Sequence, residues 1–177
     1  MLGFTRHRTH TVIGKLLKME QSAHNVGMVG LFITISPPCR FHAVSPWFDG
    51  STPQQAHAFL RAFWQKASRT VSAARIQWTG MKLAEPHRDG TPHWHVIVWT
   101  FPASVDTIRS TLRNTLRDVC PDDRCLTVTE LQRGDVAMYA AKYLSSTNTP
   151  LPLLASWLTA MKISVVTFFG ILAGRVA

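Results

Sequence analysis

His93 and His95 stand two apart at the start of an apolar run, His93-Trp94-His95-Val96-Ile97-Val98-Trp99. In an extended strand, residues i and i+2 share a face and lie about 6.5 Å apart. Two imidazoles so placed can close on one divalent ion through bonds of about 2.1 Å. The run is preceded by Pro86-His87-Arg88-Asp89-Gly90-Thr91-Pro92, a loop with Asp-Gly and two prolines, and before that by a second strand-like segment, Ile76–Glu85. A symmetric hairpin puts Glu85 across from His93 and Leu83 across from His95, which brings a carboxylate to the histidine face. Glu85, His93 and His95 then form a mixed nitrogen and oxygen set suited to Mg²⁺ or Mn²⁺, with coordination positions left for a phosphate. His87, in the loop, competes with Glu85 for the third position.

A second group follows in Tyr139-Ala140-Ala141-Lys142-Tyr143, which holds both tyrosines of a chain with six tryptophans and nine phenylalanines. On a helix, positions i and i+4 are stacked neighbours about 5–6 Å apart. That face is also apolar, so core packing alone would account for two tyrosines; it does not account for Lys142 beside them. A phenol, with a pKa of about 10, is a poor nucleophile until it loses its proton. A metal that polarises a phosphodiester lowers the barrier from the electrophile's side, and Lys142 can stabilise phenolate or phosphate charge. Two tyrosines at one such centre would permit two successive transesterifications, the second reversing the first on another strand end.

These groups need a scaffold. Gly30–Ser36, stopped by Pro37-Pro38, reads as a buried strand. Ser51-Thr52-Pro53 caps a helix to about Ser72, with Ala58, Phe59, Phe63 and Trp64 as its apolar stripe. Val105–Val119 has helical spacing, Leu126–Leu131 reads as a strand, and Asp135 caps a last helix through Ser145. The order predicts an α+β fold, a central antiparallel β-sheet with flanking helices.

The chain has 177 residues, enough for one domain with one sizeable core. An apolar fraction of 46% excludes a disordered polar chain. A formal charge of +9 favours a polyanionic partner, nucleic acid or an anionic membrane. All ten acidic and 17 of the 19 basic residues precede Ser146, so about +7 sits on that part. The chain divides into a basic N-terminal segment (1–28), a core (29–146) and an apolar tail (147–177). The tail's apolar run is long enough for a membrane span, but Lys162 in its middle costs roughly 3 kcal/mol of insertion free energy. Burial as core sequence, with packing partners beyond the C-terminus, is favoured over a membrane anchor. Three cysteines are too few and odd in number for a disulfide framework, and together with the lack of a signal peptide they point to a reducing cytoplasm.

Three stretches resemble the motifs of the bacteriophage replication gene A proteins, two-tyrosine rolling-circle initiators of the HUH endonuclease superfamily. They are Phe32-Ile33-Thr34-Ile35-Ser36-Pro37-Pro38-Cys39-Arg40-Phe41-His42-Ala43, Glu85 through His95 with Trp94 as the central hydrophobic residue, and Tyr139 through Tyr143. Asp49-Gly50-Ser51-Thr52-Pro53 matches the family's link between the first two. The resemblance covers about Leu31–Ser145. It implies an RRM-like antiparallel core and a nickase and ligase for single-stranded DNA at a replication origin. A tyrosine would cleave there, leaving a free 3′-hydroxyl and a 5′-phosphotyrosyl link, with the host replication helicase and polymerase as partners in the bacterial cytoplasm. It also implies that His93, His95 and Glu85 are metal ligands, that Tyr139 and Tyr143 are nucleophiles with Lys142 between them, and that Arg40 and His42 lie near DNA phosphates. Family members are several times longer, and the sequence after Ser145 leaves the family pattern, as a truncation or frameshift would. A non-catalytic single-strand-binding module, or an inactive prophage remnant, is the alternative reading; a single-strand transposase of the superfamily is disfavoured by the paired tyrosines.

Overall fold

A computed structural model describes residues 6–120, 124–136, 138–139 and 151–170. In chain order the elements are α1 (Arg6–Asn25), β1 (Val29–Ile35), α2 (Pro53–Ala73), β2 (Trp78–Pro86), β3 (Pro92–Thr100), α3 (Val105–Leu116), β4 (Leu126–Leu131), α4 (Leu151–Met161) and β5 (Val166–Phe169). Five strands form one sheet in the order β4-β1-β3-β2-β5, antiparallel at every pairing. The fold is α+β, with helices on both faces of the sheet.

β3 is central because it is apolar on both sides: Val96, Ile97, Val98 and Trp99 are all buried. Alternation sends Trp94, Val96 and Val98 to one face, where Leu31, Ile33 and Ile35 of β1 meet Leu60, Phe63 and Val71 of α2 and Ile108 and Leu112 of α3. The other face gathers Phe32, Met81, Leu83, Ile97 and Trp99 under Leu16 of α1 and Val136. His93 and His95 belong to this second face.

The hairpin between β2 and β3 closes through Arg88-Asp89-Gly90. His87 accepts from the Gly90 N–H (2.9 Å) and donates its own N–H to the Thr91 carbonyl (2.7 Å). Gly90 takes φ 82°, the left-handed residue of a turn followed by a bulge. This loop sets Glu85 opposite His93 and Leu83 opposite His95, the register expected from a symmetric hairpin.

Several boundaries depart from the sequence reading. β2 begins at Trp78 rather than Ile76 because Arg75 and Ile76 terminate α2: the Ile76 N–H reaches back to the Val71 carbonyl (3.2 Å) and that of Arg75 to Ser72 (2.9 Å). α3 ends at Leu116, not Val119, where Val119 and Cys120 both donate to the Leu116 carbonyl. Cys120 is disulfide-bonded to Cys125, which corrects the expectation of unpaired cysteines; the link is one local crosslink, and Cys39 is free.

The two ends of the chain hold more structure than their composition suggested. The N-terminal segment forms α1, which buries Leu16 and Ala23 and stops at Gly27 (φ 80°), with Met28 N–H bonded to the Ala23 carbonyl (2.9 Å). In the tail, β5 pairs with β2, and α4 is tied to the hairpin by Trp157 Nε1–H donating to the Gly90 carbonyl (2.8 Å). β5 thus finds its packing partner in β2 of the same chain, where a segment beyond the C-terminus was expected. Among the described residues no helix is long and apolar enough to cross a membrane.

Candidate functional site

β3 and β2 hold His93, His95 and Glu85 on one sheet face near the hairpin end. His93 Nε2 lies 2.9 Å from His95 Nε2, and Glu85 Oε2 lies 3.7 Å from the first and 3.4 Å from the second. One ligand atom from each falls within 4.8 Å of the others, the only such group of three among the described residues. On β1, Thr34 is the cross-strand partner of His95, and its Oγ1 lies 3.2 Å from His95 Nδ1. With the His95 proton on Nδ1 and donated to Thr34, the Nε2 lone pair faces Glu85 and His93.

The residues fit a divalent cation. Burial, followed by the positive potential of His87, His95 and His42, pushes the His93 imidazole down to about 3, so it is neutral and retains a lone pair at ordinary pH. Glu85 Oε1 and His93 Nδ1 are buried without a hydrogen-bond partner among the described residues. Unsatisfied buried polar atoms are costly. A carboxylate and two imidazoles converging this closely gain most from a shared cation, and their mixed nitrogen and oxygen donors accept one.

A second ring of polar groups surrounds the three. The His87 ring centroid is 4.2 Å from that of His93, and its Nε2 is 3.4 Å from Ser36 Oγ. Burial and the nearby His42 lower its pKa. His87 thus lies tilted beside His93 rather than completing the three-ligand group, a place that goes to Glu85. His42 lies 3.1 Å from Asp89 through Nδ1 and 3.3 Å from the Pro37 carbonyl through Nε2, so it braces the hairpin loop against the end of β1. Arg40 donates to Asp49 Oδ2 (2.7 Å) and lies over the Phe41 ring. The Ser51 hydroxyl and Arg40 hold the Asp49 carboxyl down at about 2.

Tyr139 lies on the same sheet face. Its ring stacks on Phe32 (4.4 Å between centroids), and Phe32 stacks in turn on His95 (5.5 Å). Val136, Met138 and Tyr139 are helical, as expected, whereas Asp135, expected to cap that helix, is itself helical and accepts from the Gln132 N–H through Oδ2 (2.9 Å). Their entry is fixed by α1, whose Glu20 accepts from the Gly134 N–H (3.2 Å). Lys142 and Tyr143 lie outside the described residues.

Thr34, Phe32 and Asp89 were missed as parts of this site. The signal for Thr34 and Phe32 is cross-strand pairing between β1 and β3, and that for Asp89 is the approach of the hairpin loop to His42; local spacing carries no trace of either.

The sequence pattern of the bacteriophage replication gene A protein (GPA) family matches residues 5–147. The chain is 29% identical over 133 residues to a probable replication protein P12 of Pseudoalteromonas phage PM2, covering 71% of this chain and 21% of that protein. It is 29% identical over 110 residues to the replication gene A protein of Escherichia phage 186, covering 58% and 16%. A probable replication endonuclease from a prophage-like region of Salmonella typhi is 29% identical over 113 residues, covering 60% and 14%. The matched stretch is thus about a fifth or less of each of these relatives. No solved structure matches. With the match running over residues 5–147, well over half of its length, this chain belongs to the bacteriophage replication gene A protein family.

Proposed function

We propose that this chain is the nicking and joining part of a phage replication initiator, a metal-dependent endonuclease for single-stranded DNA that works through a 5′-phosphotyrosyl intermediate. The observation that carries the reading is the cluster of Glu85, His93 and His95 on the sheet face that also holds Tyr139. The relatives named as replication proteins and replication endonucleases support it. The resemblance of the three motifs supplies the rolling-circle chemistry.

Glu85, His93 and His95 would hold Mg²⁺ or Mn²⁺, and the chemistry supplied there is Lewis-acid polarisation of the scissile phosphate. The phenol oxygen of Tyr139 or Tyr143 attacks phosphorus and surrenders its proton. The bond from phosphorus to the 3′ oxygen breaks, and that oxygen leaves as a 3′-hydroxyl after taking up a proton. Lys142 offsets the negative charge that builds on phenolate and phosphate. The phosphodiester energy is kept in the tyrosyl ester, so a 3′-hydroxyl can later attack it and rejoin the strand. Thr34 would hold His95 in one tautomer, and Arg40 and His42 would meet the strand beside the site.

The test uses single-stranded oligonucleotides labelled at the 3′ end that tile the gene encoding this chain and its flanks. With Mn²⁺ or Mg²⁺, label should move with the protein through denaturing electrophoresis, since the 5′-phosphotyrosyl product retains the 3′-side fragment. EDTA, His93→Ala, or Tyr139→Phe combined with Tyr143→Phe should abolish the adduct, while either single tyrosine change leaves one reaction. Label that stays attached in the double variant removes tyrosine from the mechanism. Metal-independent binding with no adduct on any oligonucleotide would instead favour a non-catalytic single-strand-binding module.

A further inference from the structure

Trp94 sits between the two histidines in β3 and therefore points through the sheet to the opposite face. There it forms part of the wall of a recess of about 860 Å³ with Arg61 and Arg69 of α2 and Lys82 of β2. A second hollow of about 250 Å³ adjoins it, sharing Arg61, Lys82 and Trp94 and adding His57 of α2 and Lys162. The larger hollow is within the size of ordinary ligand clefts, roughly 300–1,000 Å³. Among the described residues no aspartate or glutamate lines either one. Among the described residues none of these four cations is paired with a carboxylate.

We propose that this recess is a second binding site, for the phosphate backbone of single-stranded nucleic acid, on the sheet face away from the Glu85, His93 and His95 cluster. Four cations with no anion among them repel one another, and a polyanion entering the recess removes that repulsion. Lys82 is half-buried over the Trp64 and Trp94 rings, with its ammonium 5.1 Å and 4.6 Å from their centroids, so its charge is aimed at the floor of the recess. Burial and the Arg61 charge press its pKa below the usual lysine range, and burial with Arg61 and Lys82 does the same for His57. Ser68 and Ser72 of α2 add small polar side chains to the same wall. The concave wall suits a flexible single strand better than a duplex, which is stiff over about 150 base pairs.

One wall comes from residues 162–167, beyond the stretch that matches the family. Lys162 follows α4, and Thr167 stands in β5 opposite Lys82. The apolar tail thereby brings one cation into place and closes the second hollow.

The inference does not need the nuclease reading, because binding can be measured in EDTA, where no cleavage occurs. The probe is a fluorescent oligothymidylate of 20 nucleotides, and the variant is Arg61→Gln with Arg69→Gln and Lys162→Gln, all three exposed and removable without opening the core. A control, Lys18→Gln with Arg117→Gln and Arg133→Gln, removes the same formal charge from exposed sites outside the recess. The recess variant should bind about tenfold or more weakly at low salt, with a log–log salt slope smaller by about 2, as loss of three phosphate contacts predicts. The control should change affinity by less than about threefold. Equal losses in the two triple variants would mean that net charge, not the recess, holds the strand, and would overturn the proposal. A recess variant that loses pyrophosphate binding but keeps full oligothymidylate affinity would also overturn it, leaving a small-anion site.

Discussion

His93 is kept neutral by its position: burial comes first, then the positive potential of His87, His95 and His42. Its folded pKa of about 3 lies below the ordinary 6.5, so between those values the unfolded chain binds more protons than the folded one. The resulting stability is complete above about pH 6.5 and is lost as pH falls toward 3. Thermal unfolding of the EDTA-treated protein should therefore worsen steadily across that window, with His93 contributing up to about 1.4 kcal/mol per pH unit. His93→Gln should flatten the profile, with the residual slope due to His87 and His57, whose pKa values are also lowered. A profile as steep in the variant as in the parent would assign the acid sensitivity elsewhere. At this scale much was legible in the sequence, since a period of two and a short Asp-Gly loop place Glu85, His93 and His95 together with no further information. Thr34 was not legible, because its contact with His95 depends on which strand lies beside β3.

α2 carries its own start and stop instructions. The Thr52 hydroxyl accepts from the Gln55 N–H (3.3 Å), and the Gln55 side chain accepts from the Thr52 N–H (2.7 Å), a reciprocal pair that satisfies two otherwise unpaired donors ahead of Pro53. Thr52→Ala should cost about 1 kcal/mol in urea unfolding, and Thr52→Ser should restore most of it. Loss of similar size in both variants would show that the methyl group, rather than the hydroxyl, matters. This helix was readable because cap and apolar spacing agree, although Ala58 of the expected stripe is exposed and Ala56, Leu60, Ala67 and Val71 are buried beside Phe63 and Trp64. α1 was not assigned from sequence, since its buried residues, Leu16 and Ala23 among them, are interleaved with basic and polar ones, and only packing on Met28, Phe32 and Trp99 reveals the apolar side. The helix nevertheless matters to the site, as its Glu20 anchors the turn leading to Tyr139.

The whole sheet depends on how its edges are closed. β2 would be an edge strand, with open backbone groups from Gly80 to Leu83, had β5 not paired with it. The apolar composition of the tail was legible, but its use was not: a short hydrophobic run has no way to announce which strand it will cover. Phe169 fastens it. The ring packs at 5.2 Å from Trp64 and 5.4 Å from Trp78, joining β5 to α2 and to the start of β2. Gly80 makes that approach possible, because a Cβ there would strike the Ile97 carbonyl and the Phe169 ring. Phe169→Ala removes a half-buried ring at the join, so the loss should be about 2 kcal/mol, below the range for a fully buried phenylalanine. Hydrogen exchange should quicken at the β2 edge more than in β1 or β3, which keep both neighbours. If exchange instead rose evenly across the sheet, β5 would be part of one cooperative unit with the core, and the tail could not be separated from the fold that positions Glu85.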